Sequence, residues 1–255
     1  MDKQRIMKEG MKKYLTSRKY VAILRDRLKK MGLVSYSQSG EDLIINFAFN
    51  SLGITKPSYI DIGANHPKYL SNTYFFYKKG GRGMCIEPDP ELYKKIRQQR
   101  KWDICINAGI GIEGENNADF YVMSSKTLNT FSRKEAEGYE SNKNYGNQKI
   151  VEVIKIPLVT MEDVVKKYDF HEVDFVTIDT EGLDFDILKS FDSKIFRPKI
   201  LCVETARSVS PRKIEKDHRI QELMEERGYF LYADTFINSI FIDEEFWMKR
   251  YEKIH

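Results

Sequence analysis

The sequence predicts an α/β fold: a doubly wound, mostly parallel sheet with helices on both faces, preceded by a basic helical arm. Three observations carry this. Strand-like and helix-like segments alternate along most of the chain. The strand-like segments are apolar almost throughout rather than alternating, as in strands covered on both sides. The last two, "YFLYAD" (229–234) and "INSIFID" (237–243), are joined by too few residues for a parallel crossover, so they should pair antiparallel.

The elements follow in order. Between positions 3 and 30 eleven lysines and arginines face only Asp2, Glu9 and Asp26, while Met7, Met11, Tyr14, Leu15, Val21, Leu24 and Leu28 keep helical spacing. The segment reads either as a packed helix with a solvated basic face or as a contact for anionic lipid or an anionic substrate. We therefore divide the chain into an arm, residues 1–34, and a main domain, residues 35–255. Ser39-Gly40-Glu41-Asp42 resembles a capping box. It predicts a helix with Leu43, Ile44, Phe47 and Ala48 inward, closed by Gly53. "SYIDIG" (58–63) is a strand that stops at a glycine turn, and Ser71-Asn72 can cap a short aromatic helix ending at Gly80-Gly81. "GMCIEP" (83–88) is a second strand. Asp89 and Pro90 suit the N-cap and first position of a helix through Leu92, Tyr93 and Ile96. "DICINAGIG" (103–111) is a third strand; "ADFYVM" (118–123) and "KIVEVIKI" (149–156) follow, on either side of a polar stretch. Thr160 and Asp163 form another capping-box pattern. "DFVTI" (174–178) and "KILCVE" (199–204) are strands, and a helix is expected over 214–227, ending at Gly228.

Composition narrows the class. With 255 residues, 41% hydrophobic and 31% charged, the chain can bury a full core and is not disordered. No apolar run approaches the roughly 20 residues of a membrane span, and the basic N-terminus lacks the apolar core of a signal peptide. Cytoplasmic residence is expected, peripheral to the inner face of the membrane if the arm meets lipid. Cys85, Cys105 and Cys202 sit inside apolar runs without metal-ligand spacing, which fits buried thiols in a reducing compartment.

Ligands of such sheets lie at the carboxyl ends of the strands. The first strand ends in Asp61-Ile62-Gly63-Ala64-Asn65, where glycine lets a backbone approach a ligand. The second ends in Glu87, an acid able to accept both hydroxyls of a ribose. The dinucleotide fingerprint G-x-G-x-x-G and the P-loop are both absent. Together these features imply an adenosine-containing ligand without a pyrophosphate, a description S-adenosylmethionine fits.

The segments "YSQSGEDLI", "YIDIGANHPKYLSNTYFFYKKGGRGMCIEPDP", "LNTFS", "IPLVTMEDVV" and "VDFVTIDTEGLDFDIL" resemble the FkbM family of S-adenosylmethionine-dependent methyltransferases, in the expected order from about residue 35 to 242. The resemblance implies a class I methyltransferase fold, a seven-stranded sheet with one antiparallel strand. It also implies O-methylation, often of a sugar hydroxyl in polysaccharide, glycolipid or antibiotic biosynthesis. Carried over by motif, Asp61, Gly63 and Asn65 would line the methionine side of the cofactor and Glu87 would hold the ribose. Asn107 and Ala108 would lie near the adenine, and Gln38 and Glu41 would reach the same pocket. The chain departs from many relatives at His66-Pro67, where a small residue is more usual.

One feature needs a chemical reason: Asp179, Glu181, Asp184 and Asp186 crowd together just after a buried strand. Asp184 and Asp186 suit the start of the next helix, where the dipole favours negative charge. Asp179 and Glu181, with Glu204 from the expected neighbouring strand, are candidates for chemistry. A carboxylate can take the proton of an acceptor hydroxyl. Alternatively, Asp179 and Glu204 can hold a hard divalent cation such as Mg²⁺ that lowers the hydroxyl pKa. His66 is a further candidate base or substrate ligand, against a loop-stabilising role. Arg207, Arg212 and Lys213 can meet a phosphate-bearing acceptor or merely solvate a loop. A nicotinamide dehydrogenase is disfavoured by the missing glycines, and a nucleic-acid partner by the absence of an N-P-P-Y-type motif. A non-catalytic module docked through the arm is the alternative of a different class. A homo-oligomer remains open.

Overall fold

The computed structural model describes residues 32–112, 116–210 and 213–252. The expected arm helix lies outside them. From Ser35 onward the described residues form one compact unit. Its centre is a seven-stranded sheet built from β1 (Ser58–Ile62), β2 (Arg82–Ile86), β3 (Ile104–Ile106), β7 (Phe175–Ile178), β8 (Ile200–Glu204), β11 (Tyr229–Asp234) and β12 (Asn238–Asp243). The order is β11-β12-β8-β7-β1-β2-β3. Only β12 runs antiparallel to its neighbours, β11 and β8; the remaining pairs are parallel. The strands after β1 run to one side and β7 starts the other, so β1 and β7 flank the topological switch point where such sheets bind ligands. Ile62 pairs with both Ile86 and Ile178, and Ile178 with Val203. That register brings the residues after β1, β2, β7 and β8 to one edge.

Alternate residues of each central strand point to opposite faces, and both faces are apolar. Ile60, Ile62, Val176 and Ile178 pack with α5 (Met161–Tyr168), α6 (Asp184–Ser190) and α7 (His218–Glu226) through Val165, Leu188 and Met224. Tyr59, Phe175 and Cys202 pack with α1 (Glu41–Ser51) and α2 (Tyr74–Lys78) through Phe49 and Phe76, with Trp247 of α8 (Glu244–Glu252) alongside. The helix α3 (Pro90–Gln99) covers Cys85 and Cys105 through Ile96. Its cap is the expected one: Asp89 accepts from the N–H groups of Glu91 and Leu92, with Pro90 first in the helix. Thr160 caps α5 by accepting from Asp163 N–H, also as expected.

The structure corrects four expectations. In α1 the buried face is Ile45, Ala48 and Phe49, and Phe47 is 66% exposed. No side chain caps this helix; Gly40 takes the N-cap position at φ 92°. The Asp42 carboxylate instead receives the Tyr36 N–H at 2.7 Å and the Ser35 and Ser37 hydroxyls at 2.6 and 2.9 Å. Those bonds turn the helix so that Glu41 and Asp42 are buried too. In the polar stretch a helix forms, α4 (Arg133–Ser141), capped by the Ser132 hydroxyl; it buries only Ala136 and Tyr139, too little to show as periodicity. The expected helix from 214 begins only at His218, because residues before it pair as the hairpin β9 (Ala206–Ser210) and β10 (Lys213–Lys216). Finally, α8 follows the last strand, unannounced by the sequence pattern.

Between β3 and β7 lies an insert. In it, β6 (Ile150–Val159) pairs parallel with β4 (Gly109–Ile110) and antiparallel with β5 (Asn117–Met123). With α4 it forms a wall over the strand ends. No helix among the described residues is long and apolar enough to cross a membrane.

Candidate active site

A cavity of ≈ 1370 Å³ opens over the carboxyl ends of β1, β2, β7 and β8. Its lining includes Gln38, Asp61, Gly63, Asn65, Glu87, Ala108, Asp179, Glu181 and Glu204, with Tyr139 and Phe131 from the insert.

Gly63 sits at φ 79°, and a Cβ there would lie 1.8 Å from the Asp179 carbonyl oxygen. No side chain fits, so the turn after β1 can lie directly on the turn after β7. The Asp179 N–H donates to Ile62 O at 3.1 Å, and the Gly63 and Ala64 N–H groups donate to Ile86 O. Asn65 follows in the left-handed region at φ 49°. Its N–H donates to Glu87 Oε2 at 2.7 Å, and its side-chain amide donates to the Lys126 carbonyl at 3.0 Å. Glu87 is 4% exposed. Its other oxygen accepts the Asp89 N–H at 2.7 Å. Burial pushes the Glu87 carboxyl up to about 8, against these two N–H donors and with the nearby Asp89 and Asp61 charges adding to the rise.

Asp61 is buried, which raises its proton affinity, and the Arg100 guanidinium opposes that rise. The Thr73 hydroxyl donates to Asp61, and Arg100 Nη1 lies 3.7 Å away. Sequence reasoning missed Arg100, which is 1% exposed. Its Nε donates to Asp103 at 2.8 Å, its Nη1 to Thr73 at 2.8 Å, and the rings of Tyr59 and Tyr77 lie against it. In "RQQRKWD" it looks like one more surface charge, so no local signal could have found it.

At the far side, Asp179, Glu181 and Glu204 each offer a carboxylate oxygen, all within 4.8 Å of one another. The expected neighbouring of β7 and β8 produces this cluster. Burial, then repulsion from Asp179 and Glu181, raises the proton affinity of Glu204, and burial with the Asp179 charge raises Glu181. Burial raises Asp179 as well, with the nearby Asp184 charge adding to the rise and a hydrogen bond with Glu204 opposing it. Glu181 holds its place at φ 52°. Its carbonyl accepts the Thr130 hydroxyl at 2.9 Å and its carboxylate the Tyr139 hydroxyl at 2.6 Å. Asp184 starts α6 and is turned to its own loop, accepting from Thr180 N–H at 2.9 Å, the Thr180 hydroxyl at 3.0 Å and Gly182 N–H at 3.2 Å. Asp184 and Asp186 both line the cavity as well. Three crowded carboxylates can either share a proton, which suits a base, or be neutralised by a hard cation.

Three expected residues are not among those lining the cavity. His66 Nδ1 accepts the N–H groups of Lys68 and Tyr69 at 3.1 and 2.9 Å, so its place is that of a turn stabiliser. The Asn107 side chain donates to the carbonyls of Glu87 and Pro88, both at 2.8 Å, and so fixes the end of β2. Glu41, fully buried, accepts from Thr235 and Asn238 at the turn before β12. The side chains of Arg207, Arg212 and Lys213 lie outside what is described.

An open sheet of this order, with a single antiparallel strand next to one edge and its cavity at the switch point, is the class I methyltransferase fold. Residues 61–231 match the family model described as Methyltransferase FkbM domain, and the chain belongs to that family of S-adenosylmethionine-dependent methyltransferases. No curated protein matches it in sequence. Among solved structures, it is similar to the O-methyltransferase from Bacillus cereus in complex with S-adenosylhomocysteine, at 11% identity and TM-score 0.42, over 86% of each chain. It is similar also to a TehB-like methyltransferase from Corynebacterium glutamicum, at 10% identity and TM-score 0.41, over 90% of this chain and 98% of that one. The 1,6-didemethyltoxoflavin-N1-methyltransferase of Burkholderia thailandensis gives 10% identity and TM-score 0.40 over 88% of each chain. Likeness at this distance says nothing of ligand or reaction.

Proposed function

We propose that the protein methylates a hydroxyl group, that of a sugar in a polysaccharide, glycolipid or related glycoconjugate. The observation that supports it is the cluster of Asp179, Glu181 and Glu204 within 4.8 Å, facing the cavity beside the Gly63 turn. A neutral sugar hydroxyl is a poor nucleophile, and methyl transfer to it needs a group that takes its proton.

The residues on the β1–β2 side fit S-adenosylmethionine. Glu87 Oε1 and Oε2 each accept one backbone N–H at 2.7 Å, which leaves further lone pairs for ribose hydroxyls. Gly63 lines the cavity between Asp61 and Asn65. When bound, the cofactor supplies an electrophilic methyl group. Asp179 or Glu204 then accepts the acceptor proton, with Glu181 held beside them by Tyr139. The same three carboxylates form an all-oxygen donor set that fits a hard divalent cation such as Mg²⁺, which would lower the hydroxyl pKa. The basic arm suits peripheral contact with anionic lipid, where glycolipid acceptors reside.

Transfer of labelled methyl groups to cell glycolipid and polysaccharide fractions tests the reading. Label in a glycoconjugate hydroxyl supports it; a protein that binds S-adenosylhomocysteine but labels neither fraction overturns it. Asp179→Asn keeps the shape and removes the charge. It should cut turnover about a hundredfold or more with cofactor affinity nearly unchanged. Activity after exhaustive EDTA treatment separates base from metal. A fully active Asp179→Asn enzyme would remove this acid from the chemistry.

A further inference from the structure

Phe236 is 60% exposed. It also sits at φ 74°, in the left-handed region that a bulky side chain rarely adopts. An exposed aromatic on an unfavourable backbone serves no core, so its conformation must be enforced from outside. The turn that carries it is bound at every position. Phe236 N–H donates to Asp234 Oδ1 at 2.7 Å, and Thr235 N–H donates to Asn238 O at 2.9 Å. Glu41 Oε1 accepts the Thr235 hydroxyl at 2.7 Å and the Asn238 amide at 3.1 Å. A carboxylate with 0% exposure thus has its task in holding this turn.

The turn lies on the acid side of the cavity. Asn238 pairs with Glu204 in the sheet, and Ile237 O accepts the N–H groups of Thr205 and Ala206. Phe236 and Ile237 both line the cavity. β12 is three strands from β1 and four from β2. At about 4.8 Å per strand, the turn is roughly 14 Å from the glycine turn and roughly 19 Å from the Glu87 end. A cavity of ≈ 1370 Å³ exceeds the space one ligand takes, about 300–1,000 Å³, so its two ends can hold two molecules.

We infer that Phe236 is the platform on which the acceptor's pyranose ring lies. The inference rests on the proposed sugar acceptor and deepens it. A pyranose has one face of C–H groups and hydroxyls at its edge. The C–H groups meet the electron-rich face of an aromatic ring, which leaves the edge hydroxyls for the neighbouring carboxylates. Phe236 is then a specificity-determining residue for pyranosides with an uninterrupted C–H face.

The test uses the full chain loaded with S-adenosylhomocysteine and titrated with methyl glucopyranosides, galactopyranosides and mannopyranosides, followed by saturation-transfer NMR. Phe236→Asn removes the ring and keeps a residue that tolerates the left-handed backbone; Phe236→Trp keeps a ring. Phe236→Asn should bind the preferred glycoside about tenfold more weakly, Phe236→Trp should retain binding, and both should bind S-adenosylhomocysteine as before. Equal glycoside affinity in Phe236→Asn and the unmodified protein overturns the inference. Turnover with labelled cofactor separates it from the reading it rests on. Ring-dependent binding without methylation overturns the proposed reaction and leaves Phe236 as the platform. Methylation with an unchanged KM in Phe236→Asn overturns the platform alone. A protein that binds none of the glycosides overturns both.

Discussion

Glu87→Gln should weaken S-adenosylhomocysteine binding by about 1.5–3 kcal/mol, roughly 10- to 150-fold, and abolish its pH dependence. The carboxylate accepts one N–H on each oxygen at 2.7 Å, from Asn65 and from Asp89. A glutamine presents NH₂ to one of them whichever way the amide faces, so one buried donor loses its partner and the ribose loses an anionic acceptor. Because burial lifts the free protein's Glu87 to about 8, its protonated form dominates near neutrality. Ribose hydroxyls donate hydrogen bonds and favour the ionised form. Binding therefore expels a proton, and affinity should rise as pH increases from 6 to 8, by up to about tenfold per unit, then level off. The sign for stability is opposite in the free protein. A carboxyl raised from 4.5 to about 8 adds stability that is complete below 4.5 and lost as pH rises through about 8. Glu87→Gln should flatten that window. Isothermal titration between pH 6 and 9, with urea melts of the free protein alongside, reads both effects. A flat wild-type affinity across that range, or a glutamine variant that binds as tightly, refutes the reasoning.

Gly63→Ala puts a methyl group 1.8 Å from a backbone carbonyl that cannot swing aside, on a left-handed backbone. It should cost about 2–5 kcal/mol in urea denaturation, and a loss well below 1 kcal/mol would show that the β1 and β7 turns separate freely. Arg100→Met leaves Asp61 and Asp103 without their buried cation and should destabilise the fold by about 3–5 kcal/mol. Part of that loss should return at acid pH as Asp61 takes up a proton, and Arg100→Lys should be milder. Deleting residues 1–34 should leave cofactor affinity intact and reduce binding to phosphatidylglycerol vesicles, most visibly at low salt. A truncated chain that fails to fold would instead mark the arm as a packed helix.

What the sequence by itself determined was local. Apolar runs marked strands buried on both faces, Asp89-Pro90 and Thr160 marked helix starts, and Gly63 and Glu87 marked strand ends that line the cavity. Each signal lies within a few residues of its effect, so a pattern can carry it. The acids after "DFVTI" were legible as a crowd, and the pairing of β7 with β8 turned the crowd into a cluster. The tertiary structure alone decided the partners. Glu41 meets Asn238 across 197 residues and Arg100 meets Thr73 across 27. Nothing near Glu41 in the sequence says that it holds a turn instead of a ligand, and nothing near Asn107 says that it faces its own strand end. His66 differs only by a bend that brings two N–H groups onto Nδ1. Sheet order, register and the rotation of α1 set these contacts, and they arise from the packing of many elements at once. For that reason the sequence could name the residue types of the site, while only the fold could assign which carboxylates face the cavity and which hold it in shape.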